Sequence, residues 1–584
     1  MFELNRALSR KLYEISAMYR YLGGGNRFRA LAYGKAAKGV EGLTEDVRSY
    51  LKSHLLEDIP GVGDSISEDI DEYIRTGKIK RHTDLRKEVP YELMELMHVS
   101  GFGPQSLRQL HQELGIQTQT DLVQAIELGK VDLLKGFGEK KVENMLRGLK
   151  LFKVAKDRIS LFDAMSIGER ILAELKSLRE VRQIALAGSI RRGKETIGDI
   201  DILIACLPKD RKKIMAAFTG LDEKETVLMK GETKASILVQ DLNRQVDLRL
   251  VDESEWGAAW IYSTGSKEHN VQLRTLAKER GWKINEYGIF DVKDHQKLAG
   301  STETEMYTLM GYQWIPPELR ENKNEWELAS QYAIPRLIDW KDIKGDMQMH
   351  SSGSDGTMSI EEMATYVLKN YTYEYIVITD HSVSQRIAGG MEVKDFEKQF
   401  EEIKSVNKKL GKSFVKSGVE VDILSDGTLD LPDDLLSRFD WVCASIHSDF
   451  KHDNTQRIIA ACKNEFVCCI GHPSGRLIGK REAYPVDWKK VFQVAAQTGT
   501  AMEINAQPDR MDLNDEWARQ AIHAGVKLTI STDSHQPQHF AYMQQGVYMA
   551  RRAGCKKEDI LNTASWNAIE DFVFQKRRLL IEKI

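Results

Sequence analysis

Along this 584-residue chain the spacing of apolar residues changes from helical to strand-like and then to an alternation of the two. The opening stretch, MFELNRALSRKLYEIS, has the spacing of an amphipathic helix rather than the apolar block of a signal peptide. Within the first 150 residues one theme then occurs three times: an apolar helix end, a Gly-x-Gly turn and a second helix. The segments are residues 55–70 (LLEDIPGVGDSISEDI), 96–110 (LMHVSGFGPQSLRQL) and 133–146 (LLKGFGEKKVENML). The paired glycines (Gly61 and Gly63, Gly101 and Gly103, Gly136 and Gly138) permit a tight hairpin. Each second helix then begins with free N–H groups, which suit a DNA phosphate without reading bases. Basic residues gather after the first turn, at Arg75, Lys78, Lys80, Arg81, Arg86 and Lys87. Such a run is either a solvated face or a track for a nucleic-acid backbone.

The middle of the chain alternates. Residues 181–187 (VRQIALA) form an apolar run of strand length that stops at Gly188 and Ser189. The glycine lets backbone N–H groups approach an anion, Ser189 adds a hydroxyl, and Arg191 and Arg192 add guanidinium forks suited to phosphate. Asp199 and Asp201 follow two apart in an alternating strand, so both face one side. Asp247, in RQVDLRLV, offers a third acid from a neighbouring strand. Crowded carboxylates repel unless a hard divalent cation lies among them. The alternative, an acidic hairpin face in water, leaves the Gly-Ser turn and the arginines unexplained. The pattern is that of two-metal nucleotidyl transfer.

These residues resemble the palm of the family X DNA polymerases. The likeness continues through residues 260–290 (WIYSTGSKEHNVQLRTLAKERGWKINEYGIF), similar to a family segment running from Tyr-Phe-Thr-Gly-Ser to an Asn-Glu-Tyr turn. The resemblance implies that Asp199, Asp201 and Asp247 hold two Mg²⁺ or Mn²⁺ ions, with Asp247 nearest the primer 3′-hydroxyl. It implies that Gly188, Ser189, Arg192 and Gly198 grip the incoming triphosphate. Tyr262 and Gly265 would line the sugar, Asn270 and Arg274 would face the base pair and template, and Arg249 would tune the acids. Ser263 stands where the family often has Phe. In the family, carbonyls of the first two hairpins hold a monovalent cation, here those of Glu57, Ile59 and Val62 and of Met97, Val99 and Phe102. Lys35 matches a lysine that meets a 5′-phosphate in a gap. Asp69 and Ser65 occupy the positions of the two lysines that family members with lyase activity carry in the first hairpin. Neither side chain can form an imine.

Beyond residue 345, where eight of the fourteen histidines fall, apolar β-rich runs such as YEYIVI and VKLTI alternate with helical segments. Acids and histidines follow these runs: Gln348, His350 and Asp355, then His381, Glu420, His447 and His472, then Asp533 and His535. The alternation suggests a barrel with side chains converging at one rim, and imidazole with carboxylate suits Zn²⁺, Mn²⁺ or Fe. The set resembles the PHP (polymerase and histidinol phosphatase) phosphoesterases, whose nine-ligand order this chain follows except that Gln348 replaces the first His. That resemblance implies a distorted (β/α)7 barrel holding two to three metal ions, with Arg476 near the scissile phosphate.

Composition narrows the rest. Hydrophobic content of 42% with 29% charged residues describes a soluble protein, and no apolar run is long enough to span a membrane. Six cysteines without metal-like pairing read as reduced thiols of a cytoplasmic protein. A net charge of −4 confines DNA contacts to local patches. The expected organisation is multidomain α/β. Residues 1–85 and 86–155 form two helical hairpin domains and 156–255 a mixed α/β palm. Residues 256–317 form an α+β nucleotide-selection piece, 318–340 a linker and 341–584 the barrel. The expected function is a monomeric polymerase that fills gaps in primer-template DNA from dNTPs. The barrel acts as a 3′→5′ exonuclease and an abasic-site endonuclease, or else as a scaffold weakened by Gln348. A small-molecule nucleotidyltransferase fused to a phosphatase is the third reading, and it has no use for three backbone-gripping hairpins.

Overall fold

The computed structural model describes residues 3–581, apart from 44, 54, 100, 101, 157, 222–224 and 240–243. It contains helical hairpin modules, a mixed palm sheet and a seven-stranded parallel barrel, the fold class expected from the sequence. Helix α1 (Glu3–Leu22) buries Leu8, Leu12, Ile15 and Tyr19 at helical spacing and packs against α2 (Arg27–Glu41). A single apolar core runs from Leu8 to Leu149. The segments expected as two helical domains, 1–85 and 86–155, both contribute side chains to this core.

The three hairpins repeat one geometry. Val62, Phe102 and Phe137 are buried and donate their N–H groups to the carbonyls of Ile59, Val99 and Leu134 at 2.9–3.1 Å. Gly61 and Gly136 both take φ of 84°, in the region that a β-carbon disfavours. Gly101 lies outside the described residues. Helices α3 (Asp64–Thr76), α4 (Pro104–Leu114) and α5 (Glu139–Lys156) follow, entered through the exposed Gly63, Gly103 and Gly138. Each buried side chain contributes about 1.5–3 kcal/mol and pins the turn, so the glycines stay at the surface.

The palm is a five-stranded sheet of β1 (Gln183–Leu186), β2 (Ile200–Ala205), β3 (Glu225–Lys230), β4 (Lys234–Val239) and β5 (Arg244–Val251), in the order β1-β2-β5-β4-β3. Only the β2–β5 pair is parallel, and its register sets Asp201 directly opposite Asp247. Helices α6 (Trp256–Thr264) and α7 (Lys267–Glu279) lead to a three-stranded antiparallel sheet. Residues 318–340, expected as a linker, pack against the elements on either side. Ala329 and Ile334 join the α6–α7 core, Glu325 accepts backbone N–H groups beside the buried His269, and Ile338 joins the barrel core. The polar look of this stretch comes from charges that are paired internally.

Glu303 is the centre of that pairing. It receives bidentate hydrogen bonds from Arg191 and Arg320 and one from the Trp314 indole, and Arg320 is fully buried. Burial alone would raise the Glu303 carboxyl, yet the two guanidinium groups hold it well below the usual carboxylate range. Glu303→Ala would strand the buried Arg320 and the mostly buried Arg191, so a loss of about 3–5 kcal/mol is expected in denaturant unfolding. A variant within about 1 kcal/mol of wild type would contradict this account.

The barrel strands are β6 (Gly345–Asp346), β7 (Tyr375–Ile378), β8 (Val415–Asp422), β9 (Trp441–Ser445), β10 (Cys469–Ile470), β11 (Ala501–Asn505) and β12 (Leu528–Ser531), adjacent in sequence order and all parallel. A bridge from Met349 to Ser534 and hydrogen bonds from Thr532 to Asp346 link the first and last strands. Their near-continuous burial explains why they read as apolar runs. Every residue proposed as a ligand except Asp355 lies in the C-terminal part of a strand or just beyond it.

Candidate active sites in the palm and the barrel

The palm carboxylates stand between two clefts. One, of about 550 Å³, is lined by Gly188, Ser189, Arg192, Asp199, Asp201, Tyr262, Gly265, Asn270 and Arg274. The other, of about 580 Å³, is lined by Asp201, Asp247, Arg249, Tyr262 and Ser263, with Leu228 and Met229 at its edge. Asp201 belongs to both. Burial, then repulsion from Asp199 and Asp247, pushes its carboxyl up to about 7, while Arg192 and Arg249 oppose the rise. A crowd of hard oxygen donors with that imbalance fits a divalent cation. A β-carbon on Gly188 would fall 2.1 Å from Asp201 Oδ2, so only glycine lets the turn pass this close to the acids. Gly198 lies beside the Arg158 guanidinium. The Asn270 side chain donates to the Tyr262 carbonyl at 2.8 Å, tying α7 to the end of α6.

Several residues at this site were not legible in the sequence. Ser236 on β4 donates to Asp247 Oδ1 at 2.5 Å and Gln245 donates to the same oxygen at 2.8 Å, holding the carboxylate's orientation. Arg158 and Lys194 add positive charge to the first cleft. Ser236 could have been found only from the β4–β5 register, which pairs it with Asp247. Arg191 is turned away: its guanidinium is committed to Glu303 and Thr264 and lies 3.4 Å over the Trp260 ring. It is a packing residue rather than a phosphate ligand.

In the first hairpin, Asp69 is buried and accepts hydrogen bonds from the Tyr33 hydroxyl and from Arg81, which also reaches Ser65. The positions of the family's lyase lysines are thus filled by a closed polar network. Borohydride is expected to trap no covalent adduct with a 5′-deoxyribose phosphate end. An adduct lost on Lys35→Ala would instead make Lys35, exposed on α2 where its backbone packs against Gly61, the nucleophile. Three of the six residues in the basic cluster after this hairpin are paired locally, Arg75 with Asp71, Arg81 with Asp69 and Lys87 with Asp84, and Arg86 covers the Tyr91 ring.

In the barrel, eight of the nine expected residues converge. Ligand atoms of His350, Asp355, His381 and His535 lie within 4.8 Å of one another, as do those of His381, Glu420 and His447, and of His350, Glu420 and Asp533. His472 Nε2 lies 2.9 Å from Glu420 Oε1. Buried atoms here lack aligned hydrogen-bond partners: His350 Nε2, His381 Nδ1, Asp355 Oδ1 and Asp533 Oδ1. Burial pushes His381 down to about 3, whereas Asp533 and Glu420 overcome burial and push His350 up to about 9. Five imidazoles and three carboxylates, with several buried nitrogens and oxygens lacking aligned partners, form a donor set that fits metal ions. His472 and Asp533 sit at φ of 27° and 50°, strained values that concentrate at functional positions.

Supporting residues went unread in the sequence. Asp422 lies 2.5 Å from His447 Nδ1 and is itself held by Gln385, while Asn505 donates to Asp533 and Glu503 accepts the His472 N–H. Such partners fix ring orientation. Gln348 is buried with its amide oxygen accepting the Cys443 thiol at 3.0 Å, and its amide nitrogen meets no protein partner. Arg476 does not face the cluster. It spans Glu195 of the palm and the Met511 carbonyl. From the helical region, Lys38 on α2 donates to the Asp355 carbonyl, so the rim is partly covered by the N-terminal module.

Family models match three segments: a helix-hairpin-helix domain at residues 3–79, the DNA polymerase beta palm at 158–268 and the DNA polymerase beta thumb at 259–321. The chain is 36% identical to the DNA polymerase/3′-5′ exonuclease PolX of Bacillus subtilis, over 96% of this chain and 98% of that protein. Its C-terminal region is 31% identical to a phosphatase-named protein of Thermoanaerobacter, over 31% of this chain and 76% of the relative. Rat DNA polymerase lambda is 24% identical over 54% of this chain and 56% of its own length. Among the described residues, no helix is long and apolar enough to cross a membrane. The chain belongs to the bacterial family X DNA polymerases with a C-terminal PHP domain.

Proposed function

We propose that the chain fills short gaps in DNA during repair, using its palm for nucleotide addition and its barrel to remove nucleotides from 3′ ends. The observation that carries the palm reading is the placement of Asp201. It is opposite Asp247 in the sheet and shared by two clefts, only one of which contains Ser189 and Arg192. The first cleft takes the dNTP, with Ser189, Arg192 and Lys194 on the phosphates, Tyr262 and Gly265 along the sugar, and Asn270 and Arg274 toward the base pair. The second takes the primer end beside Asp247, whose carboxylate Ser236 and Gln245 hold in one orientation. Asp199, Asp201 and Asp247 would hold Mg²⁺ or Mn²⁺; when bound, these ions supply Lewis-acid stabilisation of developing negative charge. The 3′-oxygen bonds to the α-phosphorus, its proton passes to water in the open cleft, and the α–β anhydride breaks to release pyrophosphate. The chain's own part is to align the 3′-oxygen, phosphorus and leaving group in line.

In the barrel, His350, Asp355, His381, Glu420, His447, His472, Asp533 and His535 would hold Mn²⁺, Zn²⁺ or Fe, which supply Lewis-acid activation when bound. Water adds to the terminal phosphodiester, the 3′-oxygen of the preceding nucleotide leaves with a proton, and a nucleoside monophosphate is released. Abasic-site cleavage is the same hydrolysis at an internal bond. A second reading, a barrel that serves as a scaffold, rests on Gln348 and its commitment to Cys443. The eight remaining donors and their unpartnered atoms favour hydrolysis.

The chain acts as a cytoplasmic monomer on gapped DNA. The exposed hairpin glycines would meet phosphates, and Lys35 the 5′-phosphate of the gap. Gap binding is therefore expected to be independent of sequence and to weaken about tenfold or more between 50 and 200 mM salt. Removing the 5′-phosphate should weaken it further. Addition of one nucleotide to a one-nucleotide gap in Mg²⁺ tests the palm reading, and no addition at any dNTP concentration would refute it.

A further inference from the structure

The turn that carries Ser189 and Arg192 does not stand on the palm alone. Residues of the barrel touch it at three places. The Tyr548 ring lies against Gly193, where a β-carbon would come within 2.8 Å of it. Arg476 pairs with Glu195 at 2.6 Å. Arg552, 2% exposed on helix α8 (Met543–Ala553), donates to the Arg192 carbonyl at 2.9 Å and to Asp515 at 2.8 Å. Its remaining contact is the significant one. Arg552 Nη1 lies 3.0 Å from Glu321 Oε1, an oxygen that also accepts from Arg192 Nε at 3.2 Å, while Glu321 Oε2 lies 3.2 Å from Lys194 Nζ. One carboxylate therefore holds two cations of the nucleotide cleft and one cation of the barrel.

A triphosphate entering the cleft must take Arg192 and Lys194 from Glu321. A mostly buried carboxylate resists losing its counter-ions unless another remains in place. Arg552 cannot follow the phosphates, because the Arg192 carbonyl and Asp515 anchor it from two other sides. We infer that Arg552 is a positioning residue for nucleotide binding: it stays on Glu321 as the resident counter-ion, so that Arg192 and Lys194 are released to the incoming triphosphate. The barrel thereby sets the dNTP affinity of the palm, whether or not it cleaves DNA. The inference rests on the reading of Arg192 as a phosphate ligand.

The test is a double-mutant cycle in the full chain, measuring KM for dNTP and kcat separately on a one-nucleotide gap. Arg552→Ala should raise KM about tenfold with kcat within about threefold, because Glu321 then holds Arg192 more tightly. Glu321→Gln should leave KM unchanged or lower it. The double variant should return KM to within about threefold of wild type, since a neutral amide has no hold on Arg192. A purely structural role for Arg552 would leave KM high in the double variant and would overturn the inference. If Arg552→Ala proves unstable in thermal unfolding, Glu321→Gln and Arg552→Lys decide. A raised KM in Glu321→Gln refutes the competition, as does an Arg552→Lys KM equal to that of Arg192→Ala. Arg192→Ala separates the two levels. An unchanged KM there would remove the phosphate-ligand reading itself, whereas a raised KM with no coupling in the cycle would remove only the inference.

Discussion

Asp247→Ala is expected to lower nucleotide addition on a one-nucleotide gap by about a thousandfold or more, with DNA affinity changed by less than about threefold. The carboxylate faces the cleft opposite the one that holds Ser189 and Arg192, and its orientation is set by Ser236 and Gln245. On the proposed reading its removal would weaken the hold on the cations that offset negative charge in the transition state, while the hairpins that would grip the duplex lie in a different core. Single-turnover extension of a labelled primer, with binding measured in parallel, checks both halves. Residual extension above about one tenth of wild type would exclude Asp247 from the reacting centre. Ser236→Ala should show a smaller loss, about tenfold, because the acid remains but is less well held.

His350→Ala and His447→Ala are expected to reduce hydrolysis of a 3′-labelled primer by about a hundredfold or more while sparing gap filling. His350 approaches both Glu420 and Asp533, at 3.3 and 3.0 Å, so its loss disrupts two of the overlapping donor groups together. Metal analysis of the purified variants gives a readout independent of activity, and fewer bound ions per chain are expected. Gln348→His should lower the Mn²⁺ concentration needed for hydrolysis, by about tenfold, without being required for it. A wild type inert at every Mn²⁺ concentration, beside an active Gln348→His, would make the barrel a scaffold.

Periodicity, spacing and residue type pointed to helical, palm-like and barrel segments, to three acids in the second and to a series of acids and histidines in the third, and the structure brings each of these sets of side chains together. They suffice because these features are local. A Gly-x-Gly turn needs its glycines in place, a strand that presents two acids needs them two apart, and parallel strands buried on both faces must be apolar. The Asp247 assignment went one step further, since it required a neighbouring strand that the sequence suggested and the β2–β5 register supplied.

Other roles depended on which long-range partner a side chain meets. Arg191 and Arg192 are adjacent and chemically identical, yet one is locked on the buried Glu303 and the other, paired with Glu321, lines the cleft beside Asp199 and Asp201, because the fold brings a different acid to each of them. The polar stretch at 318–340 looked like a linker because its charges are satisfied by residues far away in sequence. Arg476 seemed aimed at a phosphate until the docking of the barrel on the palm placed Glu195 against it. Sequence determined which chemical groups this protein possesses and, through local geometry, where groups suited to grip metals and phosphates lie. Tertiary structure alone decided which charges remain free to do so, since a buried charge is committed to whichever opposite charge the packing brings within reach.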